Sequence, residues 1–120
     1  MFFKSPSKKD LRILIALDQI GALITLRECL SRIRQNRIED AVCSMEHALD
    51  CGITSLLSQI EGCDAVTKDL MAQEFKRLWL YRRDVPGYST TDLAGLEQDL
   101  RNGMLRRRAE VQRILEQYRV

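Results

Sequence analysis

The chain has little of what interrupts helices and little of what catalyses reactions. Its 120 residues include two prolines and six glycines, too few for a fibrous or loop-dominated protein. It contains one histidine, and it lacks a glycine-rich phosphate loop, a nucleophile elbow and a paired-carboxylate motif. The sequence therefore predicts a folded, helix-rich protein that is not an enzyme and has no cofactor.

A large excess of one charge is also missing. Nineteen basic residues stand against seventeen acidic ones, which leaves a formal net charge of +2. So small an excess gives no overall attraction to nucleic acid or to an anionic membrane surface. Either partner would have to be recognised by a local patch.

The four cysteines include no CxxC pair, and the chain starts without a convincing secretory signal. Asp18 and Gln19 interrupt the apolar run that such a signal would need. Disulfides are rare in reducing compartments. We therefore expect free thiols and a cytoplasmic protein.

Cys43, His47 and Cys51 are the candidate metal ligands, because a spacing of four residues places them along one line of a helix. Neighbouring Cys and His side chains at that spacing can share a zinc ion. The outer two are about 12 Å apart along the helix, however, too far to meet at one ion. We prefer the interpretation that this face packs with small sulfur side chains and binds no metal.

Long apolar runs are absent with one near exception, residues 11–26. Eleven of these sixteen residues are apolar, and only Arg12 and Asp18 are charged. A membrane-spanning helix needs about 20 apolar residues, so the segment must be covered in the domain core, by a second copy or at a membrane surface. We expect it to be the central helix of the core, with enough apolar width left to contact a second chain.

Hydrophobic periodicity predicts helices throughout and no strand. The first helix covers about 8–35 behind a capping box of Ser7 and Asp10. The second starts near Asn36, buries a stripe that includes Met45, and stops at Gly52.

The second half of the chain is less regular. Residues 53–83 form one helix, or two that meet at Gly62, before the break at 85–87. The last helix starts behind a second capping box, Ser89 with Asp92, and is intact or split at 102–103. These elements predict an all-α fold, an antiparallel bundle of four helices, or of five if one is split. Residues 1–6 are expected to be a flexible lead-in to a single domain over 7–120.

One charged side chain interrupts the apolar stripe of the last helix between Met104 and Val111. Arg107 or Arg108 takes that place, and a guanidinium at the edge of a core needs a carboxylate partner or must reach solvent. Asp18 is the candidate partner.

Residues 36–50, NRIEDAVCSMEHALD, resemble the second helix of a tetratricopeptide repeat. Ala41 and Ala48 stand seven apart with Met45 between them, at positions that pack neighbouring helices in that family. The preceding helix departs from the family pattern, and no second copy follows about 34 residues away. We interpret the similarity as convergence on tight helix packing, and it assigns no binding residues.

Arginines flank aromatic residues near Trp79 and crowd the last helix, but interleaved acidic residues favour solvated ion pairs over a phosphate-binding surface. The favoured function is a non-catalytic protein–protein interaction module that self-associates, for example as a homodimer. The alternatives are a nucleic-acid-binding bundle that uses these arginines, and membrane association through residues 11–26. The residues assigned to interaction are Leu14, Leu23, Trp79, Tyr81, Arg82, Arg83, Arg107 and Arg108.

Overall fold

Four α-helices account for most of the chain in its computed structural model, which describes residues 7–87 and 93–120. They are α1 (Lys8–Arg34), α2 (Ile38–Ser58), α3 (Ala65–Asp84) and α4 (Gln98–Glu116). A 3-10 turn, Ile60–Gly62, separates α2 from α3. No strand occurs in the described ranges. The prediction of an all-α fold with four principal helices is confirmed.

The start of α1 is closed by the predicted capping box. The Ser7 hydroxyl accepts from the Asp10 N–H at 3.1 Å, and the Asp10 carboxylate accepts from the Ser7 N–H at 3.2 Å. Both orphan donors are thereby satisfied. The predicted lead-in at 1–6 and the second capping box, Ser89 with Asp92, lie outside the described residues.

Asn36 was predicted to lie near the start of the second helix, but it belongs to the turn that closes the end of α1. Its φ is 63°, in the left-handed region. The Asn36 N–H donates to the Ile33 carbonyl at 3.0 Å, and the Arg37 N–H donates to the Arg32 carbonyl at 2.7 Å. This pair of bonds is a Schellman motif, which asparagine can close because it tolerates the left-handed conformation.

The predicted stop of the second helix at Gly52 is wrong, because α2 continues through Gly52 to Ser58. A glycine inside a helix costs only about 1 kcal/mol. Leu49 and Ile53 on either side of it belong to the packed core, and this packing outweighs that cost. Residues 53–83 are divided between two helices: 53–58 complete α2, the chain breaks at the 3-10 turn, and α3 begins behind Asp64. The Asp64 carboxylate accepts from the Thr67 N–H at 2.7 Å.

The break at 85–87 is confirmed, and Gly87 adopts a φ of 94° there. The last helix begins at Gln98, later than its apolar pattern suggests, and it is not split at 102–103. Leu93 precedes it in a turn and is fully buried. With Met104 it forms a small cluster against which Cys43 and Leu105 pack.

The chain divides into two compact units, the first ending at Val42 and the second spanning Cys43–Val120. In the second unit α2, α3 and α4 pack together. Their shared core consists of Ile53, Phe75, Val111, Ile114 and Leu115. The ring centroids of Phe75 and Tyr118 lie 4.9 Å apart, and Gly87 lies beside Arg108. The later residue of the α3 segment thus contacts the earlier residue of the α4 segment, so α3 and α4 are antiparallel. The single domain over 7–120 stays a prediction.

The apolar side chains of α1 are exposed, which contradicts the expectation that this helix is the centre of the core. Its Leu and Ile side chains are all 40–65% exposed, and its buried residue is Cys29, whose thiol donates to the Ala41 carbonyl at 3.8 Å. The exposed side chains are Leu11, Ile13, Leu14, Ile15, Leu17, Ile20, Leu23, Ile24, Leu26, Leu30 and Ile33. In the described ranges, none of the helices has both the length and the apolar character needed to cross a bilayer.

Candidate functional site

Four charged side chains meet inside the second unit, and we call them the ion cluster: Glu46, Asp50, Arg82 and Arg108. Arg82 pairs with Glu46 and donates from Nη2 to the Asp50 carboxylate at 2.9 Å. Arg108 donates to the same Asp50 oxygen. Asp50 is fully buried and Arg82 is 4% exposed. Two carboxylates face two guanidinium groups, so the cluster is neutral and ties three helices together.

Polar neighbours extend the ion cluster. The Tyr81 hydroxyl donates to Glu46 at 2.6 Å, and this hydrogen bond raises the pKa of Tyr81. Arg107 donates to the Thr54 hydroxyl at 2.7 Å and lies 3.9 Å from a Glu110 oxygen. Three buried atoms have no hydrogen-bond partner among the described residues: Asp50 Oδ2, Arg82 Nε and Arg108 Nη2.

The charged side chain that interrupts the apolar stripe is Arg108, and its carboxylate partner is Asp50. The hypothesis that named Asp18 is therefore wrong. Asp50 was not among the predicted site residues, because the buried stripe of the second helix was assigned to apolar residues such as Met45. Met45 is in fact 42% exposed. The sequence does contain an indication of this site. Glu46 and Asp50 stand one helical turn apart, on the face of the helix that also carries the core residue Ile53.

The candidate metal ligands Cys43, His47 and Cys51 are each half-buried on α2. The Cys51 sulfur lies 3.6 Å from Nε2 of His47, and Cys43 packs against the small cluster around Leu93. Burial lowers the pKa of His47; the Asp50 carboxylate opposes that shift and Arg107 adds to it. Within the described ranges, no three Cys, His, Asp or Glu side chains converge as metal ligands. The interpretation that this face packs with sulfur side chains and binds no metal stays a prediction.

A small cavity of about 110 Å³ opens between α3 and α4, and we call it the Trp79 cleft. Its walls are formed by Trp79, Arg82, Arg83, Gln112, Leu115 and Glu116. The guanidinium carbons of Arg83 and Arg119 lie 5.7 Å and 5.9 Å from the centroid of the indole ring. These distances allow cation–π attraction. The Gln112 amide donates to Glu116 at 3.2 Å.

The residues assigned to interaction fall into three places. Leu14 and Leu23 are 56% and 65% exposed on α1. Tyr81, Arg82, Arg107 and Arg108 belong to the ion cluster or to its polar neighbours. Trp79 and Arg83 line the Trp79 cleft, as Arg82 also does. The structure thus brings together two subsets in the second unit and places the leucines on the surface of α1. Their roles in binding stay predictions.

Comparison with known proteins yields no match to a protein-family model, to a curated protein or to a solved structure. The resemblance of residues 36–50 to a tetratricopeptide helix therefore has no support beyond that segment.

Proposed function

We propose that the protein is a non-catalytic interaction module that binds a second copy of itself through α1. The observation that carries the proposal is the exposure of every Leu and Ile side chain on this helix. Soluble monomers rarely expose contiguous apolar patches above a few hundred Å². A surface of this kind is typical of a protein–protein contact.

The spacing of one stripe on α1 favours a second copy as the partner. Ile13, Leu17, Ile20 and Ile24 are separated by four, three and four residues, and all four are exposed. Alternating steps of four and three residues are the pattern by which two helices pack side by side. A second copy carries the same stripe, so a two-fold contact matches it with itself.

The apolar area of α1 is of the size that a stable interface requires. At roughly 60–120 Å² per fully exposed Leu or Ile side chain, the half-exposed side chains of α1 together present on the order of 350–700 Å². A standard interface buries about 800 Å² per partner, and about 60% of that area is apolar. The apolar share of a standard interface, about 480 Å², falls within the range that α1 presents.

The arginines of the second unit support a protein partner over nucleic acid. Arg82 and Arg108, two of the four arginines assigned to interaction, pair with carboxylates of the same chain. Phosphate binding needs several free cations on one face. Their pairing reduces the number that such a surface offers.

We also propose a cytoplasmic location. The four cysteines are free thiols, and no pair of them forms a disulfide. Free thiols persist in reducing compartments, where disulfides are rare.

Light scattering after size-exclusion chromatography tests the proposed self-association on the full chain. We expect twice the chain mass of 13.9 kDa for the wild type. Leu17→Glu should weaken the dimer at least about tenfold, because it removes an apolar contact and places a charge in the interface. The matched control is Leu70→Glu on α3, since Leu17 and Leu70 are 59% and 60% exposed.

Three outcomes would contradict the proposal. One is a wild-type protein that stays monomeric at high concentration, and another is an equal effect of both variants. The third is a monomer that binds anionic vesicles through α1, which would favour the membrane alternative. Circular dichroism checks that both variants keep their helical content.

A further inference from the structure

The Trp79 cleft lies in the second unit and takes no part in the proposed contact through α1. We propose that it binds a carboxylate side chain from an acidic segment of a partner protein. The size of the cleft, its aromatic wall, its charge and an unsatisfied donor support this inference independently of self-association.

The size of the cleft suits a single functional group. Pockets that enclose a free small-molecule ligand measure about 300–1,000 Å³, whereas this cavity is about 110 Å³. Trp79 and Leu115 form its apolar walls, against which the methylene groups of an inserted side chain can pack. Tryptophan and arginine are also the residues most enriched where a few contacts dominate binding.

The charge at the cleft matches one negative group. Arg83 and Arg119 stand at the indole ring, Glu116 lies in the wall, and Arg82 is already neutralised inside the ion cluster. The indole ring and the cavity wall therefore carry one positive charge in excess, with Asp84 left out because it does not line the cavity. Arg83 also pairs with Asp84 at 3.2 Å, but both side chains are more than half exposed. Such a pair is worth at most about 1 kcal/mol and opens readily.

Arg82 adds a buried donor without an acceptor. It lines the cleft, its side chain is 2% exposed, and its Nε–H has no partner among the described residues. A buried donor of this kind is costly unless a hydrogen bond satisfies it. A carboxylate seated in the cleft places an acceptor beside Arg82, which a small shift of this side chain would bring within reach of the Nε–H.

A protein segment suits this site better than nucleic acid. Nucleic acids bind through several phosphates, each of which needs a cation. The cleft has one unbalanced charge, and Glu116 would face any additional phosphate. A single Glu or Asp side chain meets the available charge without further cations.

Fluorescence titration of the full chain tests the proposal, because Trp79 is its single tryptophan. The probe is an acetylated and amidated peptide of four Glu-Gly repeats, and its neutral counterpart has four Gln-Gly repeats. We expect the acidic peptide to change the emission of Trp79 in a saturable way and the neutral peptide to leave it unchanged. The double variant Arg83→Gln, Arg119→Gln should weaken binding about tenfold, as expected when charged hydrogen-bond donors are lost.

A second double variant removes equal charge away from the cleft. Arg106→Gln with Arg113→Gln changes two exposed α4 residues that do not line the cavity, and binding should stay within about twofold if contacts at the cleft dominate. If both double variants weakened peptide binding equally, the binding would depend on general charge attraction and not on the cleft, and the proposal would be overturned. So would an equal response to both peptides, no response to either, or tighter binding of oligothymidylate than of the acidic peptide. Leu17 is not among the residues that line the cleft. Unchanged peptide binding by Leu17→Glu would therefore show that this proposal does not depend on self-association.

Discussion

Asp50 is the carboxylate that both arginines of the ion cluster share. It is fully buried and accepts from Arg82 and Arg108, which come from two other helices. A buried ion network adds little over an apolar core of the same shape, but the loss of one partner leaves the others uncompensated. Asp50 therefore links α2 to α3 and α4, and its loss would leave two guanidinium groups uncompensated.

We expect Asp50→Asn to lower the free energy of unfolding by about 3–5 kcal/mol, because two buried guanidinium groups lose their shared carboxylate. Urea denaturation followed by circular dichroism measures the change. The matched control is Asp40→Asn, since Asp40 pairs with Arg37 at 2.8 Å on the surface with both side chains more than half exposed. That pair should contribute at most about 0.5 kcal/mol. Similar losses in both variants would show that the ion cluster is not a structural centre.

At the scale of single elements, the glycines show how context changes one residue type. Gly52 lies inside α2, and a Cβ built there has no atom within 4 Å. Gly87 has a φ of 94°, and a Cβ there would lie 3.2 Å from an Arg82 nitrogen. The first glycine only weakens a helix, whereas the second is required by the turn that follows α3.

Alanine at these two glycines should therefore act in opposite directions. We expect Gly52→Ala to raise the free energy of unfolding by about 0.5–1 kcal/mol, because alanine is the better helix former. Gly87→Ala should lower it by about 1–2 kcal/mol, because a side chain in the left-handed region is strained. Thermal and urea denaturation of both variants measure the two changes. A loss of stability in Gly52→Ala would contradict the open space around that position.

At the scale of the whole molecule, the two units differ in how they cover apolar surface. The second unit buries a shared core from three helices, whereas α1 in the first unit leaves its Leu and Ile side chains exposed. A second copy that covers α1 would make part of the stability depend on association. Stability and oligomeric state would then be linked.

We expect the thermal unfolding midpoint of the wild type to rise with protein concentration, because mass action favours a folded dimer over unfolded chains. In Leu17→Glu the midpoint should be nearly independent of concentration. Differential scanning calorimetry over a wide concentration range measures both slopes. A wild-type midpoint that does not change with concentration would contradict the proposed dimer.

Several features followed from short stretches of sequence. The capping box of Ser7 and Asp10, the break at 85–87 and the helical class depend on residues a few positions apart, so local interactions decide them. The sequence also indicated that Arg107 or Arg108 needs a carboxylate or must reach solvent, because an unpaired guanidinium is costly at the edge of a core. These features concern which elements form and which side chains need a partner.

Which groups meet was decided only in the tertiary structure. Arg108 and Asp50 are 58 positions apart, and Asp18 was an equally acceptable carboxylate on charge alone. Residues 11–26 are a second example. Their composition indicated that the apolar side chains of α1 must be buried against another surface, but it did not indicate which surface. Local sequence sets conformational preference and the demand for burial, whereas the choice of partner depends on how distant helices pack, which no short segment encodes.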